Sequence, residues 1–255
     1  MTDQKTRAAD FAALHVKGDP VVLFNIWDPG SAKTVEKAGA KALATGSWPV
    51  AAAFGHADGE QIPLELALEN IARIVAGTAL PVTMDLEGGY GLSPREVEAT
   101  VTKAAQAGAI GINFEDQVVG GEGLHPVAAQ VERIAAARKA FDEAGIPGFV
   151  NARTDIFLKN TPDTHTPLML EDAIARANAY AQAGANGYFA PGLADETMIG
   201  ALCTACPIPV NIIALPGVPD KATLASLGVA RISYGPVPYR QMMASLDAAA
   251  KVAFA

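Results

Sequence analysis

Cysteine is scarce in this chain: there are two in 255 residues, Cys203 and Cys206. Their Cys-Thr-Ala-Cys spacing is compatible with a redox pair or half a zinc site, but no second cysteine pair or nearby histidine completes a zinc ligand set. They fall at an expected helix end just before Pro207-Ile208-Pro209-Val210, and we read them as a reduced structural pair. Charge is also sparse, at 18% of residues, while half the residues are apolar, which argues for a sizeable core and against disorder. Positive charge is in deficit: the formal net charge is −8, which excludes nucleic acid and anionic membrane as expected partners. No apolar run reaches transmembrane length and Met1-Thr2-Asp3-Gln4-Lys5 opens no signal peptide, so the expected location is cytoplasmic.

What the chain does have is a rhythm. An N-terminal helix is expected over 2–17, then strands over 21–26, 42–46, 81–86, 109–114, 148–153, 187–190, 208–213 and 229–233. Helices fill the intervals, over 31–38, 63–75, from Ser93-Pro94 to 107, and over 127–144, 168–183, 194–202 and 220–227, with a last one from 237. A long loop is expected over 47–61. Ala38-Gly39-Ala40, Ala107-Gly108-Ala109, Ala144-Gly145-Ile146 and Ala183-Gly184-Ala185 recur at helix-to-strand joints. Eight strand–helix units in a chain of this length predict an α/β fold, a (β/α)8 TIM barrel with an extra N-terminal helix closing its bottom. No linker breaks the composition, so residues 1–255 are expected to form one barrel domain. An open doubly wound sheet is the alternative, but Trp27-Asp28-Pro29-Gly30-Ser31 after the first strand is not its glycine fingerprint.

Three strands break the rule that a strand buried on both sides is apolar on both. Side chains alternate along a strand. In the third, Asp85 and Glu87 oppose Met84 and Leu86. In the fourth, Gly111, Asn113 and Glu115 oppose Ile110, Ile112 and Phe114. In the fifth, Asn151 and Arg153 oppose Val150 and Ala152. The apolar face must pack on helices, so the polar face points into the barrel at the strands' C-terminal ends, where barrels keep their chemistry.

Converging carboxylates need a proton or a cation between them, and an all-oxygen set favours Mg²⁺ or Mn²⁺. The expected metal ligands are Asp85, Glu87 and Glu115, with Asp58 either a further ligand or a solvated loop acid. Arg153 offers a fork for a substrate carboxylate. A buried ion-pair layer, with Arg153 neutralising two acids, is the competing reading. Ser47 either binds substrate or caps the following loop. A Schiff-base aldolase needs a lysine at a strand end, and Lys159 lies in a loop instead. His15, His56, His125 and His165 are scattered over a helix and three loops, which excludes a zinc aldolase.

At these residues the chain resembles the isocitrate lyase / phosphoenolpyruvate mutase superfamily. The matching phrases are Phe24-Asn25-Ile26-Trp27-Asp28, Ala44-Thr45-Gly46-Ser47, Asp58-Gly59-Glu60, Asp85-Leu86-Glu87-Gly88-Gly89-Tyr90-Gly91, Gly111-Ile112-Asn113-Phe114-Glu115-Asp116-Gln117 and Asn151-Ala152-Arg153-Thr154-Asp155, with Arg231-Ile232-Ser233-Tyr234-Gly235-Pro236 near the end. The resemblance implies a Mg²⁺-dependent lyase or phosphonomutase-like enzyme. Its substrate would be a small 2-oxo or 2-hydroxy carboxylate, with a C–C or P–C bond made or broken beside a pyruvate-type enolate. It implies metal ligation by Asp58, Asp85, Glu87 and Glu115, with Asp85 the most direct. It implies substrate binding by Gly46, Ser47 and Trp48, and by Asn151 and Arg153 on the fifth strand. It also suggests a homo-oligomer, a dimer or tetramer. The loop after the fourth strand departs from the family: the lyases' Lys-Lys-Cys-Gly-His and the mutases' lysine and asparagine are absent. Glu122 and His125 are its titratable groups, with His125 either an acid–base group or a residue leading into the helix at Pro126. A 2-oxo-acid-binding protein with little turnover is the second reading.

Overall fold

Asp3 accepts a hydrogen bond from the Thr6 backbone N–H at 2.7 Å and so caps the first helix, α1, Gln4–Ala13. The structure, a computed structural model, describes residues 3–255; the expected helix start at Thr2 lies outside them. Strand β1 (Val21–Leu23), helix α2 (Pro29–Lys37) and strand β2 (Leu43–Ala44) follow. Helix α3 (Ser47–Ala53) and helix α4 (Leu64–Ala76) lead to strand β3 (Val82–Asp85), helix α5 (Pro94–Gln106) and strand β4 (Gly111–Glu115). Helix α6 (Val127–Glu143) and strand β5 (Phe149–Arg153) precede a 3₁₀ turn at Pro162–Thr164 and helix α7 (Pro167–Gln182). Strand β6 (Gly187–Phe189), helix α8 (Glu196–Ala205), strand β7 (Val210–Ile213), helix α9 (Lys221–Ser226), strand β8 (Arg231–Ser233) and helix α10 (Val237–Phe254) complete the chain.

The eight strands are all parallel, in the order β1-β8-β7-β6-β5-β4-β3-β2. The remaining gap is bridged just beyond the strand ends: Ile26 N–H donates to Ala44 O at 2.9 Å and Gly46 N–H to Ile26 O at 3.2 Å. The fold is thus the expected (β/α)8 barrel. The strands are shorter than their apolar runs because ladder bonds stop where the tilted strands diverge into loops.

One apolar cluster lies between sheet and helices and takes Met84, Leu86, Ile112, Phe114, Val150 and Ala152 from the faces assigned outward by alternation; Ile110, assigned with them, packs in the second cluster instead. A second closes the bottom: Ala8 and Phe11 of α1 pack with Val21, Leu23, Ala44, Ile110 and Phe149. His15 stacks on Phe149 with ring centroids 4.2 Å apart. The N-terminal helix therefore plugs the N-terminal end of the barrel and leaves the C-terminal end open.

Two expectations are corrected. The N-terminal helix, expected to run to 17, ends at Ala13, ahead of the Val16–Asp19 bridge. The region expected as loop over 47–61 begins with helix α3. Pro49 sits in the first turn of α3, where proline is tolerated because its missing N–H has no partner to lose. Trp48, Val50 and the three alanines then carry the turn onward.

Candidate active site

The polar faces of β3, β4 and β5 meet as the alternation requires. Register pairs Asp85 with Asn113, Asn113 with Asn151, and Glu115 with Arg153. Asn151 donates to Asn113 Oδ1 at 2.8 Å, and Asn113 donates to Asp85 Oδ1 at 3.0 Å. The second oxygen of Asp85 accepts the Ser47 N–H from the start of α3 at 2.9 Å. Asp85 is thereby fixed by two donors while remaining partly open to a cavity of about 270 Å³. Asp58, Ser47, Trp48, Asn113 and Arg153 line the same cavity.

The four acids are not equivalent. Asp58 belongs to an exposed loop but turns its carboxyl to the cavity; desolvation there, and then the charge of Asp85, hold it above its ordinary value. Glu87 is buried, and its Oε2 accepts two backbone N–H groups, Gly59 and Glu60, both at 2.9 Å. Burial, then Asp58 and Asp85, push its pKa up to about 8. Glu115 pairs with Arg153 Nη1 at 2.7 Å, and burial raises its carboxyl against the pull of that guanidinium. Asp155 takes the other edge of Arg153 in a fork, at 2.6 Å to Nε and 2.8 Å to Nη2. Burial opposes the charge of Arg153, but Glu115 and Asp155 outweigh it and hold the guanidinium ionised.

Loop strain concentrates beside these acids. Among the described residues, the non-glycine residues with positive φ are Glu60, Glu87 and Tyr90. Glu87 grips the backbone of the 58–60 loop, and Glu60 accepts the Tyr90 N–H at 2.8 Å in return. Two strained segments are clamped to each other and present Asp58 toward Asp85.

Among the described residues, no three His, Cys, Asp or Glu side chains already form a ligand cage. Asp58 and Asp85 share the cavity wall, Glu87 borders a smaller void behind Asp85, and Glu115 is tied to Arg153. This donor set fits a hard cation that is bound directly by few carboxylates and keeps several waters, which is the habit of Mg²⁺. The carboxyls are raised first by burial and then by their neighbouring acids, and it is this second contribution that such an ion relieves.

The loop after β4 behaves differently. Glu122 is exposed. His125 is half-buried and lines a separate depression with Glu60, Tyr90, Gln117 and Arg133; burial and Arg133 lower its pKa. Neither lies in the wall of the cavity. Trp48 stands at the rim, edge-on to Tyr239, with the Arg240 guanidinium 4.7 Å from its ring centre. Gly46 lines the cavity and Asn151 supports it from behind Asn113. Cys203 and Cys206 are buried and free, and burial pushes their thiols up to about 12 and about 11, which makes them unreactive.

Three site residues were not singled out from the sequence. Asp155 lies two residues beyond Arg153, on the same side of the extended chain. Asn25 accepts the N–H groups of Tyr234 and Gly235 and donates to Thr45 O, which ties β1, β8 and β2 together at the mouth. Arg231 lies in the cavity floor and is 3% exposed. The same alternation marks it: Arg231 and Ser233 oppose Ile232.

A family model for phosphoenolpyruvate phosphomutase matches residues 11–254. The chain is 49% identical to the crystal structure of a proposed phosphonomutase from Burkholderia cenocepacia J2315, with a TM-score of 0.96 over 98% of this chain and 100% of that one. It is 36% identical over 244 residues to the uncharacterised protein Rv1998c of Mycobacterium tuberculosis H37Rv, covering 95% of this chain and 87% of that protein. It is 29% identical over 242 residues to 2-methylisocitrate lyase of Escherichia coli K12, covering 91% and 79%. A phosphonopyruvate hydrolase crystallised with oxalate and Mg²⁺ shares the fold, at 22% identity and a TM-score of 0.82 over 94% of this chain and 84% of that one.

Proposed function

The chain belongs to the phosphoenolpyruvate mutase family, whose superfamily holds lyases and mutases of small carboxylates, and from that premise we propose that it is a Mg²⁺-dependent enzyme of a 2-oxo or 2-hydroxy carboxylate. The reaction makes or breaks a C–C or P–C bond beside an enolate of pyruvate type. The observation that carries this reading is the meeting of Asp58 and Asp85 in one cavity wall beside Arg153, at the C-terminal end of the barrel.

In this reading Asp85 is the direct metal ligand. Asp58, Glu87 and Glu115 act through water or by their charge. Mg²⁺, when bound, supplies positive charge where the carboxylate and 2-oxo oxygens gather negative charge; Mn²⁺ can replace it. The Asn151–Asn113 relay and the Ser47 N–H keep Asp85 in one orientation, so little reorganisation is needed on binding. Gly46, Ser47 and Trp48 receive the substrate carboxylate. Arg153, aimed by Asp155 and Glu115, binds a substrate oxygen from the opposite side. The apolar side chains exposed along α10, Met242, Met243, Leu246, Val252 and Phe254, support a homo-oligomer, a dimer or tetramer. The chain acts as one domain in the cytoplasm.

The placement of Glu122 and His125 outside the cavity favours a second reading, binding of 2-oxo acids with little turnover. A panel separates the two. Oxaloacetate, methylisocitrate, 2,3-dimethylmalate and phosphonopyruvate are each incubated with protein and Mg²⁺. The enzyme reading predicts turnover of one of them, abolished by chelator and by Asp85→Ala. Mg²⁺-dependent oxalate binding without any turnover selects the second reading, and absence of both overturns the site.

A further inference from the structure

Asp155 aims Arg153, and Asp155 is itself held by a network that the proposed chemistry does not use. The Asp155 N–H donates to Asp116 Oδ1 at 3.0 Å, and the Asp116 N–H donates to the Arg153 carbonyl at 3.0 Å. The end of β4 thus grips the end of β5 on either side of the forked pair. Asp116 Oδ2 accepts from Tyr180 Oη at 2.9 Å and from Arg176 Nη1 at 3.1 Å. All three side chains are buried. Arg176 and Tyr180 stand one turn apart on α7, so one helix face supplies both donors.

The same guanidinium reaches the loop after β4. Gln117 pairs with Leu124 in an antiparallel bridge and the Val118 N–H donates to Gly123 O at 3.2 Å, which makes 117–124 a small hairpin. Its base closes on Asp116: the His125 N–H donates to Asp116 O at 2.7 Å, and Arg176 Nη1 donates to His125 O at 3.1 Å. The hairpin lies against the turn after β3, where a Cβ on Gly88 would stand 2.8 Å from Val119 Cγ2.

A buried ion pair is a costly way to hold a helix to a strand, since apolar side chains of similar volume do so more cheaply. What the pair supplies is direction. Each Asp116 oxygen has its own partners, so the carboxylate has one orientation and fixes where the Asp155 backbone lies. We propose that Arg176, acting through Asp116 and with Tyr180, is a positioning residue that sets the orientation of Arg153 and ties it to the base of the hairpin. The role of Arg153 toward substrate rests on the active-site reading above; its orientation needs no ligand.

Two measurements test it, the first without ligand. The Nε–H signal of Arg153 is identified in NMR spectra by its absence in Arg153→Lys. Its exchange with solvent should be at least about tenfold faster in Arg176→Met than in wild type, and partly slowed again in Arg176→Lys, while the buried backbone amides of β7 keep their rates. An unchanged Arg153 signal overturns the proposal, and so does equal acceleration at β7, which marks general loosening. Should Arg176→Met fail to fold, Tyr180→Phe decides, because it removes the hydroxyl and keeps the ring: faster Arg153 exchange supports the proposal and an unchanged rate refutes it. The second measurement is calorimetric titration of oxalate with Mg²⁺. Arg176→Met should weaken binding about tenfold in the wild-type background and cost nothing further in Arg153→Lys. The same cost in both backgrounds overturns action through Arg153. Failure of the active-site reading leaves a different trace: wild-type protein shows no Mg²⁺-dependent oxalate binding, and the Arg153 exchange rates still decide the positioning role.

Discussion

Glu87 binds its proton more tightly in the folded protein than in the unfolded chain, because burial and two neighbouring acids raise its pKa from 4.5 to about 8. As pH rises, the unfolded chain loses this proton first. The metal-free protein therefore keeps the full contribution of Glu87 below about pH 4.5 and loses it progressively toward pH 8. While a whole proton separates the two states, the slope is about 1.4 kcal/mol per pH unit. Glu87→Gln, which keeps an acceptor for the Gly59 and Glu60 N–H groups, should flatten that decline in urea unfolding between pH 5 and 8; an unchanged slope would refute the assignment. His15 works in the opposite direction. Burial, and then Arg231, lower its pKa from 6.5 to about 3, so its contribution is complete above pH 6.5 and lost as pH falls toward 3. His15→Asn, keeping a donor for the Phe11 carbonyl, should remove about one proton from the acid-side slope. The acids at the mouth were legible because alternation along a strand is a rigid rule, and Asp85, Glu115 and Arg153 obey it; Glu87 lies in the turn beyond β3 with positive φ and borders the smaller void behind Asp85 instead. Arg231 obeys the same rule and was passed over on a short strand with one polar pair. Glu122 and His125 were not legible, because a loop with glycine at 120, 121 and 123 gives no periodicity from which to tell which way a side chain faces.

Among the elements, β4 shows how packing dictates sequence. Gly111 opens its inward face because a Cβ there would stand 2.5 Å from the Phe149 carbonyl oxygen on β5. Backbone cannot yield as a side-chain tip can. Gly111→Ala should destabilise the protein by about 1–3 kcal/mol in chemical denaturation, with the β4–β5 register as the strained element; a neutral effect would mean that the strands part more easily than their ladder implies. The turn after β3 depends on buried Arg133 of α6, which holds the carbonyls of Gly88 and Gly91. That dependence could not be read from sequence, since a lone arginine on a helix reads as a solvated face. Helix α3 was missed because Ser47-Trp48-Pro49-Val50 and three alanines make a helix too short to show a helical period.

Across the whole molecule, the repeated strand–helix unit made the barrel legible from its Ala-Gly joints, and α1 fitted as the plug it was expected to be. Phe11 is fully buried against Phe149 at that plug. Phe11→Ala should cost about 3–5 kcal/mol of stability while leaving ligand affinity at the far end unchanged wherever the protein remains folded; weakened oxalate binding in the folded variant would mean that the two ends are coupled. What the overall pattern could not supply was the sharing of charge among the acids, because that depends on which carboxylate the backbone of a distant loop happens to grip. The account's central claim is that Asp85 anchors a divalent cation which in turn holds the substrate. Its most direct test is calorimetric titration of oxalate into wild type and Asp85→Ala, each with Mg²⁺ and with EDTA. Mg²⁺ should tighten oxalate binding to the wild-type protein by at least about tenfold, or about 1.4 kcal/mol, and should give Asp85→Ala no such gain. Equal affinity with and without Mg²⁺ in the wild type, or the same gain in Asp85→Ala, would contradict it.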